Sequence, residues 1–504
     1  KGERIVKKVM NEKLVDFISP VFSDQEEIKP FLIGKNLEFA YCGSVLSGEG
    51  FLLTIDEAKK LISINPTLKD VINPYMVGDD LNNSIGQIPS RYVINFRDWT
   101  ELNAKKYKEC YEIVFNKVKP IRDKAKRKTY RDKWWQFAEK AVNLYKKIEN
   151  QNNVIAVART SKTLAFDIIK SNSVFSANLT VFTNADFADF SIFQSNLHSA
   201  WAWKYGTTLK SDLIYAPSDI VNNFPYSINT ENQSILRTIG ENYQKNRKYL
   251  MASLKLGLTK TYNLFHSNGI QSNQLDLKDK QVVALQKHLE KTPNTISFEE
   301  AVQGIIKLRE LHKQMDEAVL EAYGWQDIAL RHDFYEVDYL PENDRVRYTI
   351  HPEARKEVLK RLLLLNHERY EEEIKQGFHK KKDVVAFHKQ NGKPIPEGTT
   401  YSDVKTKKAA PKKVKTNVAQ EPPAQYGLFS ETTNELKEAS KVTIQKADGS
   451  VFKYHIIKNA IKGSFTGEFK QNARTAYLAE VMLGRKVGDA FAFGGVQYKI
   501  LEVI

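Results

Sequence analysis

The chain is expected to be an α+β protein: a mixed-β domain, a helical spacer or bundle, a disordered basic linker and a small β-rich end. Three observations carry that expectation. Short β-rich runs (Val154–Ala158, Leu179–Phe182, Leu213–Tyr215) crowd between polar connections. An apolar stripe at 3–4 spacing then takes over, with Ile305, Leu308, Leu311, Met315, Ala318, Val319 and Ala322 on one face of a helix over 297–325. From about Phe378 core-forming periodicity stops, and alternating strands return only after residue 441.

At 504 residues the chain has room for roughly two to four domains. No apolar run approaches the ~18 residues of a membrane span. The start at Lys1 carries no initiator Met and no signal-peptide core, and reads as a cut or processed end. Cys42 and Cys110 stand apart, without Cys or His at ligand spacing. A zinc ribbon is excluded, no metal site is expected, and a reducing, cytoplasmic setting is implied. The formal charge of +15 suggests an anionic partner, most simply nucleic acid.

Residues 1–85 hold a Gly-punctuated strand pair running into a helix begun at Thr54, with Glu57 at capping-box spacing. Asn73-Pro74-Tyr75 is expected to be a turn. It approaches the Asn/Asp-Pro-Pro-Tyr/Phe of amino-methyltransferases, but one proline is missing and no Gly-rich loop precedes it. Gly48-Glu49-Gly50 is too short for a cofactor loop.

Residues 86–230 begin with a strand at Tyr92–Phe96 between Arg91 and Arg97, followed by a helix ending before Pro120. The densest basic run comes next: Arg122, Lys124, Lys126, Arg127, Lys128, Arg131 and Lys133, against Asp123 and Asp132. It leads into Trp134-Trp135-Gln136-Phe137. Either a solvated helix face or a phosphate-tracking surface on an aromatic support accounts for it. Between the later strands Ala188–Tyr205 is helical. Alternation puts Ser176 with Asn178, and Lys210 with Asp212, on one face, which is either simply solvated or offered to a partner.

Residues 231–377 are helical over 233–265, 297–325 and Pro352–Gln376; His312, on the apolar seam, reads as a satisfied core histidine. Residues 378–440, with Lys380–Lys382 and Lys405–Lys415, read as a disordered linker able to touch DNA weakly. Residues 441–504 suggest strands at Val442–Gln445, Phe452–Ile457 and Gln497–Val503, a turn at Asp448-Gly449 and a helix at Ala476–Leu483.

PSRYVINFRDW, WWQFA, LTVFTNADFADFSIFQSNLHSAWAWKYG, SDLIYAPSDIVNNFPY, GLTKTYNLFH, LRELHKQMDEAVLEAYGW and the segment Leu359–Tyr370 follow one another in this order. Together, over roughly residues 20–375, they resemble the C-terminal half of MmeI-like type IIG/IIL restriction–modification DNA methyltransferases. The resemblance implies a reader of double-stranded DNA joined, in the full-length enzyme, to an adenine-methyltransferase domain that binds S-adenosylmethionine. No catalytic residue and no cofactor are expected within this chain. The resemblance places base contacts at Lys162, Ser176, Asn178, Lys210 and Asp212, whose chemistry suits guanine, adenine and cytosine edges. Arg91, Arg122, Lys126, Arg127, Lys128, Arg131, Arg159 and Lys204 are the phosphate candidates.

Gln425-Tyr-Gly-Leu428-Phe429 resembles the Gln-x-x-Leu-Phe peptide of bacterial sliding-clamp ligands, an exposed anchor for a groove. The last ~60 residues are similar to the C-terminal domain of Gre transcript-cleavage factors, which implies a protein-binding appendage. The leading expectation is sequence-specific DNA recognition for an adenine-N6 methyltransferase of a restriction–modification or phage-defence system. A non-catalytic specificity or tethering subunit acting in trans is the alternative. No Pro-Asp…Asp/Glu-x-Lys pattern points to a nuclease.

Overall fold

The computed structural model describes residues 8–10, 13–15, 29–226 and 233–402, and strands at 441–446, 451–457, 465–466, 469–473, 490–493 and 496–503. The chain forms two compact units, Lys1–Lys407 and Lys408–Ile504.

The first unit opens with a hairpin of β1 (Lys8–Met10) and β2 (Lys13–Val15), then β3 (Ala40–Cys42), β4 (Leu52–Leu53), α1 (Ile55–Ile64), β5 (Ile72–Met76), α2 (Gly78–Asn83) and β6 (Arg91–Ile94). Four short helices and a fifth follow: α3 (Glu101–Ala104), α4 (Lys108–Lys117), α5 (Lys119–Arg122), α6 (Lys128–Asp132) and α7 (Val142–Ile148). Next come β7 (Asn153–Ala158), β8 (Thr160–Ser161), β9 (Asp167–Lys170), β10 (Val174–Phe175) and β11 (Leu179–Phe182). The helices α8 (Phe187–Gln194) and α9 (Asn196–Tyr205) separate these from β12 (Thr207–Leu209) and β13 (Asp212–Ile214). The helical part holds α10 (Gln233–Leu254), α11 (Leu258–Phe265), α12 (Lys280–Lys291) and α13 (Phe298–Ala322). A ribbon of β14 (Asp333–Glu336) and β15 (Val346–Thr349) leads to α14 (Pro352–Lys375) and α15 (Lys381–Gln390).

Besides the two-stranded pairs β1-β2 and β14-β15, the described strands of this unit make three sheets, ordered β10-β5-β6-β4, β3-β11-β7-β9 and β12-β13-β8. β7 is apolar on both faces, with Val154 to Ala158 all buried, as a strand covered on both sides requires. Its core continues without a break into α8, α10, α11 and α13 through Phe190, Tyr243, Leu250, Tyr262, Leu308 and Met315. A second core under β4–β6 gathers Phe51, Leu68, Val93, Phe96, Trp134 and Phe137. Thr54 caps α1 with the expected reciprocal box to Glu57. Among the described residues no helix is long and apolar enough to cross a membrane.

Several expectations are corrected. Asn73-Pro74-Tyr75 lies inside β5, not in a turn. β10 pairs only with Tyr75 and Met76, so β5 is an edge at Pro74, where a missing N–H is tolerated. The boundary expected at residue 85 falls between β5 and β6, which pair Ile72↔Ile94 through Tyr75↔Arg91 and cannot belong to different domains. The boundary expected at 230 likewise crosses one continuous core. The expected helix 188–205 is two helices, because Ser195 turns extended and caps α9 by accepting from His198 N. The helix expected over 233–265 breaks at Lys255–Gly257. Lys255 takes φ +53°, and Gly257 lies so close to Asn83 that a Cβ would meet its backbone at 2.6 Å.

The linker expected from Phe378 does not begin there, because α15 buries Val384 and Phe387 against Tyr370, Ile374 and Phe31. The lysines at its start masked that apolar spacing. Residues 403–440, with Gln425, Leu428 and Phe429, lie outside the described residues.

In the second unit β16 (Lys441–Lys446), β17 (Val451–Ile457), β18 (Phe465–Thr466), β19 (Phe469–Ala473), β20 (Ala490–Phe493) and β21 (Val496–Val503) form one sheet, ordered β18-β19-β17-β16-β21-β20. The expected strands fall on β16, β17 and β21. The turn at Asp448-Gly449 and the helix at Ala476–Leu483 lie outside the described residues.

Candidate nucleic-acid interface

Three of the five base-reading candidates meet on the small sheet β12-β13-β8. β12 and β13 form a hairpin, with Leu209 opposite Asp212, closed by the two residues Lys210 and Ser211. β13 pairs with β8 through Leu213↔Ser161 and Ile214↔Thr160, which brings Lys162 to the level of Asp212 on the neighbouring strand. Lys210 sits at the hairpin tip with φ +57°, a left-handed conformation that costs a Cβ-bearing residue energy. Its side chain is exposed.

The other two candidates belong to a loop beside the first turn of this sheet. Arg159 joins them: its N–H donates to the Asn178 carbonyl (2.8 Å), and its carbonyl accepts from Tyr215 N (2.7 Å). The loop is anchored by Ser176 N on the Met76 carbonyl (2.9 Å) and Ala177 N on the Ser44 carbonyl (2.9 Å). Asn178 is exposed, but its Oδ1 accepts from Gly78 N at 3.0 Å. Ser176 is half-buried and its Oγ accepts weakly from Asn178 N (3.4 Å). The guanidinium of Arg159 stands beside Cys42, whose thiol burial pushes up and Arg159 draws back.

The platform beneath is buried and hydrogen-bonded. Tyr215 is buried, with its hydroxyl 2.7 Å from His198 Nε2, while its carbonyl accepts from Thr180 Oγ1 at 2.9 Å. Burial pushes His198 down to about 3, so the imidazole pairing with Tyr215 is neutral near pH 7.

The phosphate candidates divide. Arg122 is corrected outright: it is buried, donating from Nη2 to the Leu46 (2.7 Å) and Gln136 (3.3 Å) carbonyls, with Tyr130 stacked at 4.9 Å. It ties two loops together and cannot reach a phosphate. Arg131 is also turned inward, donating to the Ala125 carbonyl at 2.6 Å and the Lys126 carbonyl at 3.1 Å. Arg127 is exposed but engaged with Tyr130 Oη at 2.9 Å. Lys126, Lys128 and Lys204 are exposed, while Arg91 is half-buried with Nε on Ser90 Oγ (3.3 Å). Trp134, Trp135 and Phe137 are buried beneath this run and serve the core.

Two charged groups around the site escaped the sequence reading. Asp344, before β15, lies 3.1 Å from Lys162 Nζ and 3.1 Å from Arg347 Nη2. Arg247 on α10 is fully buried, reaching Asp167 (3.3 Å), Tyr262 Oη (3.0 Å) and the Phe166 carbonyl (2.6 Å). Its position on the apolar face with Leu236, Tyr243 and Leu250 was a signal available beforehand.

The residues that come nearest methyltransferase motifs serve the fold. Asn73-Pro74-Tyr75 is committed to strand pairing. A Cβ at Gly50 would meet Lys117 at 2.5 Å, so the Gly48–Gly50 turn is packed on protein and offers no cradle.

Residues 33–227 match the family model described as the MmeI target recognition domain. No curated protein matches the chain. Among solved structures, that of the type IIL restriction-modification enzyme MmeI in complex with DNA aligns at 14% identity and TM-score 0.47, covering 71% of this chain and 39% of that one. The chain thus spans well under half the length of that relative. Every base-reading candidate falls inside the matched span, and residues 33–227 are an MmeI-like target-recognition region.

Proposed function

We propose that the chain reads a specific sequence in double-stranded DNA on behalf of a restriction–modification system. The observation that carries this reading is the placement of Lys162, Lys210 and Asp212 together on one small sheet within the region matching the target-recognition family. A cation and a carboxylate side by side can donate to guanine O6/N7 and accept from cytosine N4, a pairing that distinguishes base pairs in the major groove. Lys126, Lys128 and Lys204 supply phosphate contacts that position the protein without reading sequence. We assign the chemistry, adenine-N6 methylation with S-adenosylmethionine, to a domain working with this chain in cis or in trans. A cytoplasmic setting and a role in phage defence accord with such a system.

Selection of bound sequences from random duplex DNA at near-physiological salt tests the reading. An enriched motif that shifts or weakens at one position on Lys210→Ala or Asp212→Ala is the expected result. Binding without any enriched motif would leave only the electrostatic contribution and remove base reading.

A further inference from the structure

Lys162 is not free on the reading sheet. Its ammonium pairs at 3.1 Å with Asp344, a residue 182 positions away, on the approach to β15 and outside the span that matches the recognition family. Asp344 itself is fixed from behind. Its other oxygen lies 3.1 Å from Arg347 Nη2 in an ion pair, and Arg347 is nine-tenths buried. Removing the carboxylate from a buried guanidinium is costly, whereas releasing a half-exposed lysine is nearly free. Asp344 therefore stays in place, and Lys162 is the partner able to exchange it for another acceptor. The ribbon is also anchored: Thr349 Oγ1 donates to Asn196 Oδ1 at 2.9 Å, while Asn196 holds Asp316 of α13 through its N–H and Nδ2, both at 2.7 Å.

Resting on the DNA-reading function proposed above, we infer that Asp344 is a specificity-determining positioning residue, supplied by the β14–β15 ribbon. It holds the Lys162 ammonium to one orientation beside Asp212 and keeps it from indiscriminate attraction to phosphates. An acceptor on a base edge at the right place competes with or shares this carboxylate. A phosphate approaching the same ammonium meets a fixed negative charge. The ribbon thereby adds a second source of specificity to a surface otherwise built from the recognition region alone.

The test is bound-sequence selection with the 504-residue chain, comparing wild type, Lys162→Ala, Asp344→Asn, Asp344→Glu and the double variant Lys162→Ala/Asp344→Asn. Asparagine keeps an acceptor for Arg347, and thermal melting confirms that each variant folds. Asp344→Asn is expected to lower discrimination by a few-fold at the same base-pair position that Lys162→Ala affects. Its affinity for random DNA should rise by a few-fold, since one negative charge is lost near the phosphates. Asp344→Glu should restore discrimination, and the double variant should read like Lys162→Ala. An unchanged base preference in Asp344→Asn, or an effect that adds to that of Lys162→Ala, would overturn the inference while leaving base reading intact. A wild-type chain without any enriched motif would overturn the reading function itself, and Asp344 with it.

Discussion

Lys210 separates folding from recognition at the level of one side chain. Its φ of +57° means that glycine, which adopts this conformation without strain, suits the backbone at least as well. Lys210→Gly is accordingly expected to hold or raise stability, by up to about 1 kcal/mol, while base preference at one position weakens. Denaturant midpoints and sequence selection on the same variant check both halves. A loss of stability above that size would mean that the lysine side chain supports the hairpin. Asp189 carries the clearest pH dependence. Burial first, and then neighbouring Asp186, raise its carboxyl from the ordinary range to about 7. Its folded-state value lies above its unfolded value, so its contribution is full below about pH 4 and is lost as pH rises to about 7. Asp189→Asn removes that slope. Relative to wild type the variant should gain roughly 2–4 kcal/mol between pH 4 and pH 7, then stay level. Unfolding measured across this range decides it, and a pH-independent difference would refute the assignment.

Elements matter where they touch. The break between α10 and α11 exists so that α11 can lie against the end of α2. At Gly257 the approach to Asn83 leaves 2.6 Å where a Cβ would go, and the neighbour is backbone that cannot swing aside. Gly257→Ala is expected to destabilise the first unit by about 3 kcal/mol or more, an overpacking cost at the upper end of the usual range. Thermal unfolding gives the answer; a loss below about 1 kcal/mol would mean that the contact yields. The three-stranded sheet was only half visible in the sequence. Leu213–Tyr215 reads as a strand because it is β-rich, yet its partners are the two-residue β8 and the wholly exposed β12, too short or too polar to declare themselves by alternation. Lys162 next to Asp212 follows from pairing, and pairing follows from where β7 ends.

At the scale of the whole chain, only the exposed part of the +15 charge is available to the proposed DNA partner. Arg122 is spent on buried carbonyls, so the basic run counts for less than its length suggests. Lys126→Ala and Lys128→Ala should each weaken binding to all sequences alike and reduce the slope of log affinity against log salt by about 1. Arg122→Ala should leave that slope unchanged and lower the melting temperature instead. Salt titrations with wild type and the three variants distinguish the two classes.

The sequence by itself determined the elements whose side chains meet local or periodic demands. Thr54 and Glu57 announce a helix start, Ile305 to Val319 announce a seam, and β7 announces a buried strand, because each pattern repeats at the period of its own backbone. The ordered motifs lay equally open, and the first four of the seven fall inside the span matched at residues 33–227, although the recognition domain was expected to begin only at residue 86. Tertiary structure alone decided which charges face water and which neighbours they keep. Arg122 and Lys128 look alike in a basic run, but one is buried and the other exposed. Lys162 and Asp344 are brought to 3.1 Å only by the packing of a ribbon on α9 and α13. Periodicity is a property of one backbone segment, whereas desolvation and ion pairing belong to segments that meet after folding.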